Sequence, residues 1–121
     1  MRQEFDRNAP MFLQIYDKIK KDILCAKYQP NAQIPTVRQL ACDMSVNPNT
    51  VQRALQLLED EGLVLTRGTL GRFVTPDALL IAKVKKQMQM ETLRSWIIEL
   101  RELDITTEDI TEFINNEGGN V

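Results

Sequence analysis

The sequence predicts a mainly α-helical fold with one small β-hairpin, and three observations carry that reading. Three short segments repeat apolar residues at helical spacing and are separated by turn signals. A strand-like run holding two glycines follows them. A longer helical pattern then occupies the rest of the chain. With 121 residues there is room for one ordinary domain and an appendage, not for two full domains. Helix, helix, tight turn, helix, hairpin is the order of a winged helix-turn-helix, here followed by a short helical dimerisation arm. The divisions expected are a polar lead-in over 1–9, the winged unit over 10–76 and the arm over 77–121.

After Pro10, Phe12, Ile15, Ile19 and Ile23 recur at helical spacing with Tyr16 beside them, and Lys18, Lys20, Lys21 and Asp22 take the other faces. The first helix should therefore run from about Met11 to Cys25. Tyr28-Gln29-Pro30-Asn31 makes a turn, and Gln33-Ile34 has room for a very short strand. Thr36 is a good N-cap for a second helix whose apolar face is Val37, Leu40, Ala41 and Met44. Ser45-Val46-Asn47-Pro48 turns the chain. Asn47 can cap the third helix, and Pro48 suits its first position, where a missing N–H does no harm. That helix should reach about Asp60 and stop at Gly62.

The period then changes. Leu63-Val64-Leu65-Thr66 and Arg72-Phe73-Val74 are strand-like, Gly68 and Gly71 make a hairpin between them, and Pro76 closes the unit. Over 77–103, Leu80, Ile81, Val84 and Met88 form one stripe, and Leu93, Trp96, Ile97, Leu100 and Leu103 form another. Gln89, Glu91 and Thr92 shift the phase between them, which predicts a kink or a change of packing partner near Met90. Thr106 or Thr107 caps a last short helix carrying Ile110, Phe113 and Ile114, which ends before Gly118-Gly119.

Composition narrows the chemistry. Hydrophobic residues make up 43% and charged ones 26%, the balance of a soluble, folded protein. Apolar runs such as Ala78 to Ala82 are too short to span a bilayer, and Arg2, Glu4, Asp6 and Arg7 break up any leading signal segment. A cytoplasmic location and no membrane partner are expected. The absence of histidine removes imidazole catalysis, Ser–His triads and His-bound metals. Cys25 and Cys42 lie too far apart for a CxxC motif and read as small buried residues, a redox-sensing pair being the minor alternative. No metal or cofactor constellation is visible. The net charge of −2 is divided unevenly: residues 1–76 carry ten Lys/Arg against eight Asp/Glu, and residues 77–121 five against nine. A site for nucleic acid must therefore be a local patch.

The third helix supplies such a patch. At about 100° per residue, Val51, Ala54, Leu55 and Leu58 fall on one side and must pack inward. Asn49, Gln52, Arg53 and Gln56 fall on the opposite side, with no carboxylate over the first two turns. Amides and guanidinium are the groups that pair bidentately with adenine and guanine in the major groove. Asn47 and Thr50 sit at the helix N-terminus, whose partial positive charge favours phosphate. Glu59, Asp60 and Glu61 are held to the far end. Arg38 on the second helix and Arg67 and Arg72 in the hairpin complete a basic rim. Arg53 has two readings: contact with a base or phosphate, or a structural role, paired with Glu59 or Asp60 or bracing the turn. Gly71 serves the turn geometry or a close approach of the wing to DNA.

Four ordered blocks carry a resemblance: Pro35-Thr36-Val37-Arg38-Gln39-Leu40-Ala41, Val46 through Leu55, Leu58-Glu59-Asp60-Glu61-Gly62-Leu63-Val64, and Gly71-Arg72-Phe73-Val74. Together they resemble the GntR family of bacterial winged-helix repressors, and Asn-Pro-Asn-Thr-Val with the short tail resembles its YtrA subfamily. The resemblance implies DNA contact by Arg38, by Asn47, Asn49, Thr50 and Gln52, and by Gly71; Thr36, at the start of the same helix as Arg38, is a further candidate contact. The chain departs from the wider family at Pro48 and Gln52, where arginines are common, so the operator preference is not implied. It departs also at Ala26 and Asn31, where glycines are usual, and at Arg72, which replaces a threonine and adds charge to the wing. Asn tolerates the left-handed conformation, whereas Ala26 leaves the end of the first helix open.

About 45 residues of tail are too few for the large effector domain of most GntR proteins, and the YtrA resemblance implies a dimerisation arm. Val84, Met88, Leu93, Trp96, Ile97, Leu100 and Phe113 are the expected interface, since two short helices cannot bury that stripe alone. Folding of the arm back onto its own winged unit is the alternative. A small-molecule effector near Trp96 is a lesser expectation. The function expected is a homodimeric, sequence-specific DNA-binding repressor on a palindromic operator, and the alternative is a winged-helix protein-interaction module. An enzyme is not expected, because no nucleophile–base pair can be assembled.

Overall fold

The structure is a computed structural model and describes residues 5 and 8–118; the lead-in expected over 1–9 falls mostly outside that range. Helices α1 (Met11–Leu24), α2 (Val37–Met44) and α3 (Pro48–Asp60) precede strands β1 (Val64–Thr66) and β2 (Arg72–Val74). Helices α4 (Ala78–Glu102) and α5 (Thr107–Phe113) follow, and a π-helical turn over Ile114–Gly118 extends the last of them.

The core is made by the residues the periodicity singled out. Ile15, Ile19 and Ile23 of α1 face Val51, Ala54, Leu55 and Leu58 of α3, all at most 1% exposed. Leu40, Ala41 and Met44 of α2 and Leu63, Val64 and Val74 of the hairpin close the other sides. Each large apolar side chain buried in this way stabilises the fold by about 1.5–3 kcal/mol. Asp22 is buried among them and answers to Lys18 at 3.0 Å and Lys27 at 3.7 Å.

The ends of α1, α2 and α3 turn in the same left-handed way. After α1, the N–H groups of Ala26 and Lys27 bond to the carbonyls of Ile23 and Asp22 with Ala26 at φ +61°. After α3, the N–H groups of Gly62 and Leu63 bond to Glu59 and Leu58, with Gly62 at φ +80°. After α2, Ser45 adopts φ +56°. This is the Schellman closure, which glycine fills without strain. Ala26 thus ends the first helix one residue earlier than expected and does so in a conformation its Cβ disfavours.

The hairpin pairs Val64 with Val74, Leu65 with Phe73 and Thr66 with Arg72. The short strand expected at Gln33-Ile34 is a single bridge from Gln33 to Phe73, and backbone bonds from Asn31 to Val74 and from Ile34 to Arg72 lay the segment along β2.

One expectation is corrected. Cys25 and Cys42 are exposed rather than buried: Cys25 lies just past the last turn of α1, and Cys42 follows Arg38 by one turn on the outer face of α2. Helix α4 runs unbroken through the Met90 region, where a kink or a change of packing partner is expected, and the Thr92 hydroxyl bonds back to the Met88 carbonyl there. The compact N-terminal unit extends to Val84, beyond the division expected at 76, and Val84, a candidate for the dimer interface, is 8% exposed within that unit. Among the described residues, no helix is long and apolar enough to cross a membrane.

Candidate nucleic-acid interface

Local chemistry fixes where α3 begins and which way it faces. The Asn47 side-chain oxygen accepts from the Asn49 N–H at 2.8 Å, and Pro48 opens the helix. Thr36 and Gln39 cap α2 reciprocally, Thr36 Oγ1 accepting at 3.1 Å and Gln39 Oε1 at 2.8 Å. Asn49, Gln52, Arg53 and Gln56 are all exposed, opposite the buried Val51, Ala54, Leu55 and Leu58, and Thr50 is half-buried. The face is free of carboxylates until Glu59.

Each acid beyond it is already engaged. Glu59 accepts from Arg72 Nε at 2.8 Å and from the Thr66 hydroxyl at 2.6 Å. Asp60 accepts from the Gln56 amide at 3.0 Å. Glu61 takes the Tyr16 hydroxyl and Lys20 Nζ, the latter at 3.3 Å. Burial raises the Tyr16 pKa and the bond to Glu61 adds to it. For Lys20 burial works the other way, yet the Tyr16 hydroxyl and the Glu61 charge outweigh it and the pKa rises. The three residues tie α1 to the end of α3.

The arginines are less alike than the sequence suggests. Arg38 is exposed and has no hydrogen-bond or ion-pair partner among the described residues. Arg72 is half-buried on Glu59. Arg67 donates to the Asn31 side chain and stacks on the Phe73 ring, 4.6 Å from its centre. Arg53 pairs with neither Glu59 nor Asp60; its guanidinium lies 3.6 Å above the centre of the Phe12 ring. Among the described residues, the rim of three arginines is thus Arg38, without a partner, and two that brace the wing.

Gly71 has two reasons to be glycine. Its φ of +114° with ψ −157° is a region closed to other residues. A Cβ there would also sit 2.8 Å from Gln33 Nε2, which donates to the Leu70 carbonyl at 2.6 Å. The sequence places Phe12 on the apolar face of the first helix, Asn31 in a turn and Gln33 in a short strand, and gives none of them a part in this surface. Their partners lie far along the chain, Arg53 and Arg67 among them, and no local pattern announces such pairs.

Beyond Val84, Met88 and Leu100 are half-buried, whereas Leu93 (49%), Trp96 (59%), Ile97 (41%) and Phe113 (61%) are exposed. Thr106 caps α5 reciprocally with Asp109. The Thr106 backbone and side-chain hydrogen bonds lower the Asp109 pKa.

Comparison with known proteins agrees with this geometry. The family described as "Bacterial regulatory proteins, gntR family" matches residues 12–74. The chain is 33% identical over 121 residues to the uncharacterized HTH-type transcriptional regulator YhcF of Bacillus subtilis (strain 168), spanning 98% of this chain and 100% of that protein. It is 30% identical to the HTH-type transcriptional repressor YtrA of the same organism, over 94% of this chain and 88% of that one. A GntR family transcriptional regulator from Listeria monocytogenes superposes with a TM-score of 0.83 at 29% identity, over 92% of this chain and 97% of that chain. The AraR DNA-binding domain in complex with operator ORX1 superposes at 0.54 with 25% identity, over 62% of this chain and 92% of that one. In fold and in sequence, this chain belongs to the gntR family of bacterial regulatory proteins.

Proposed function

We propose that the protein is a sequence-specific DNA-binding repressor, working in the cytoplasm as a homodimer on a palindromic operator. The observation that carries this reading is the exposed face of α3: the Asn49 and Gln52 side chains are unpaired among the described residues, and the acids that follow have hydrogen-bond partners of their own. A carboxylate-free amide surface at a capped helix N-terminus suits the major groove. Thr36 and Arg38 at the start of α2 would hold the backbone, as would Asn47 and Thr50, with Gly71 and its neighbours Arg67 and Arg72 carrying the wing. The operator complex of the AraR domain supports the assignment by likeness.

The tail supports the dimer. Leu93, Trp96, Ile97 and Phe113 leave more apolar surface in water than a monomer commonly tolerates, and Met88 and Leu100 extend the patch. Two readers about one helical turn apart (~34 Å) then address a palindrome.

Two measurements test this. Affinity for a duplex should fall steeply with salt as neutralised phosphates release counterions, and Arg38→Ala should weaken it. A flat salt response with Arg38→Ala unchanged would favour a protein-interaction module instead. Trp96→Asp should convert dimers into monomers in sedimentation; an unchanged profile contradicts the arm.

A further inference from the structure

Arg53 differs from the other arginines around α3. A guanidinium is planar, and its five N–H donors lie in the plane. Stacked at 3.6 Å on the Phe12 ring, Arg53 engages one face and leaves those edges open. No carboxylate is paired with it among the described residues, although Glu59 and Asp60 are near in sequence. Phe12 stands in the first turn of α1 and is half-buried, so its ring is a fixed platform. The stack draws Arg53 off the crest of α3, where Asn49, Gln52 and Gln56 project, toward α1. In a helix lying in the major groove the crest meets base edges and the flanks meet the sugar–phosphate walls.

We propose that Arg53, held by Phe12, is a clamp for a DNA backbone phosphate and not a reader of bases, and that Phe12 is the residue that positions it. The inference rests on the DNA-binding reading above. Pre-orientation matters because an arginine fixed before binding forfeits less freedom when the phosphate arrives. The cation–π contact is itself compatible with that role, since the phosphate approaches the edge while the ring holds the face.

The test compares the wild-type chain with Arg53→Ala, Phe12→Leu and Phe12→Tyr. The probes are a duplex enriched from a random pool by the wild-type chain and an unrelated duplex of equal length, titrated over a range of salt. Arg53→Ala should weaken both duplexes to the same degree and flatten the log–log salt slope by about one. Phe12→Leu keeps the charge, so the slope should stay while affinity falls between about twofold and tenfold, and Phe12→Tyr should restore it. Thermal melts of each variant separate loss of fold from loss of binding. A Phe12→Leu chain that melts earlier yet binds as well as wild type overturns the proposal and leaves only a structural brace. An Arg53→Ala chain with an unchanged slope and altered preference at one base pair overturns it in favour of a base contact. Wild-type protein that binds neither duplex overturns the DNA-binding reading and this one with it.

Discussion

Replacing Gly71 by alanine puts two separable strains on the wing. The backbone at φ +114°, ψ −157° is held by the Arg67 N–H bonding to the Gly71 carbonyl at 2.9 Å, and a non-glycine residue in that region costs about 1–3 kcal/mol. The new Cβ would also meet Gln33 Nε2 at 2.8 Å and displace it from the Leu70 carbonyl. That lost hydrogen bond is worth about 0.5–1.5 kcal/mol. The sum, about 1.5–4.5 kcal/mol, is a large part of the stability of a small domain. Urea denaturation of Gly71→Ala, Gln33→Ala and the double variant measures each part. The steric part should vanish when Gln33 is already alanine, so the two changes should be less than additive by about 1 kcal/mol. A Gly71→Ala chain within about 0.5 kcal/mol of wild type would refute the reasoning, as would strict additivity for its steric half.

Ala26 and Ser45 make the opposite case, at φ +61° and +56°. Each pays for its Cβ in a left-handed position by about 1–2 kcal/mol, partly offset by the stiffer unfolded chain. Ala26→Gly and Ser45→Gly should therefore each raise stability by about 0.5–1 kcal/mol, read as a higher denaturation midpoint; a lower midpoint contradicts the closure described. At alkaline pH the Tyr16–Lys20–Glu61 brace should give way. Tyr16 and Lys20 both hold their protons more firmly folded than unfolded, so their contribution is complete below pH 10 and is lost as pH rises through the raised values. Tyr16→Phe should cost about 1 kcal/mol at neutral pH and flatten the alkaline fall, and an unaltered stability–pH curve would count against the brace.

The elements governed by local chemistry were legible in the sequence. Thr36, Asn47 and Thr106 cap the helices they were expected to cap, and Gly62 ends α3. The inward and outward faces of α3 follow from spacing alone, because a 3.6-residue period admits one orientation of Val51, Ala54, Leu55 and Leu58. What spacing cannot give is the partner across the fold. Arg67 and Arg72 look like free charge in the sequence, yet Asn31 and Glu59 receive them once the wing folds back. The sequence offers Arg53 an acid, the turn or the DNA, and gives no sign of the Phe12 ring on which it stacks. The phase shift near Met90 predicts a kink or a change of packing partner, and α4 runs through it unbroken. In a helix with one buried residue, Val84, a change of stripe needs no bend, because little packs against it to force one. The two cysteines show the same limit: composition says buried, whereas position at a helix end and on an outer face says exposed.

The measurement that bears most directly on the account is selection of bound duplexes from a random pool by the full chain, repeated with Gln52→Ala. The wild-type protein should enrich an inverted repeat, with half-sites about one helical turn apart. The variant should enrich the same repeat with preference relaxed at one position per half-site, by roughly 1–3 kcal/mol. A pool that shows no enriched sequence, or one enriched identically by both proteins, would contradict an α3 that reads DNA through its amides.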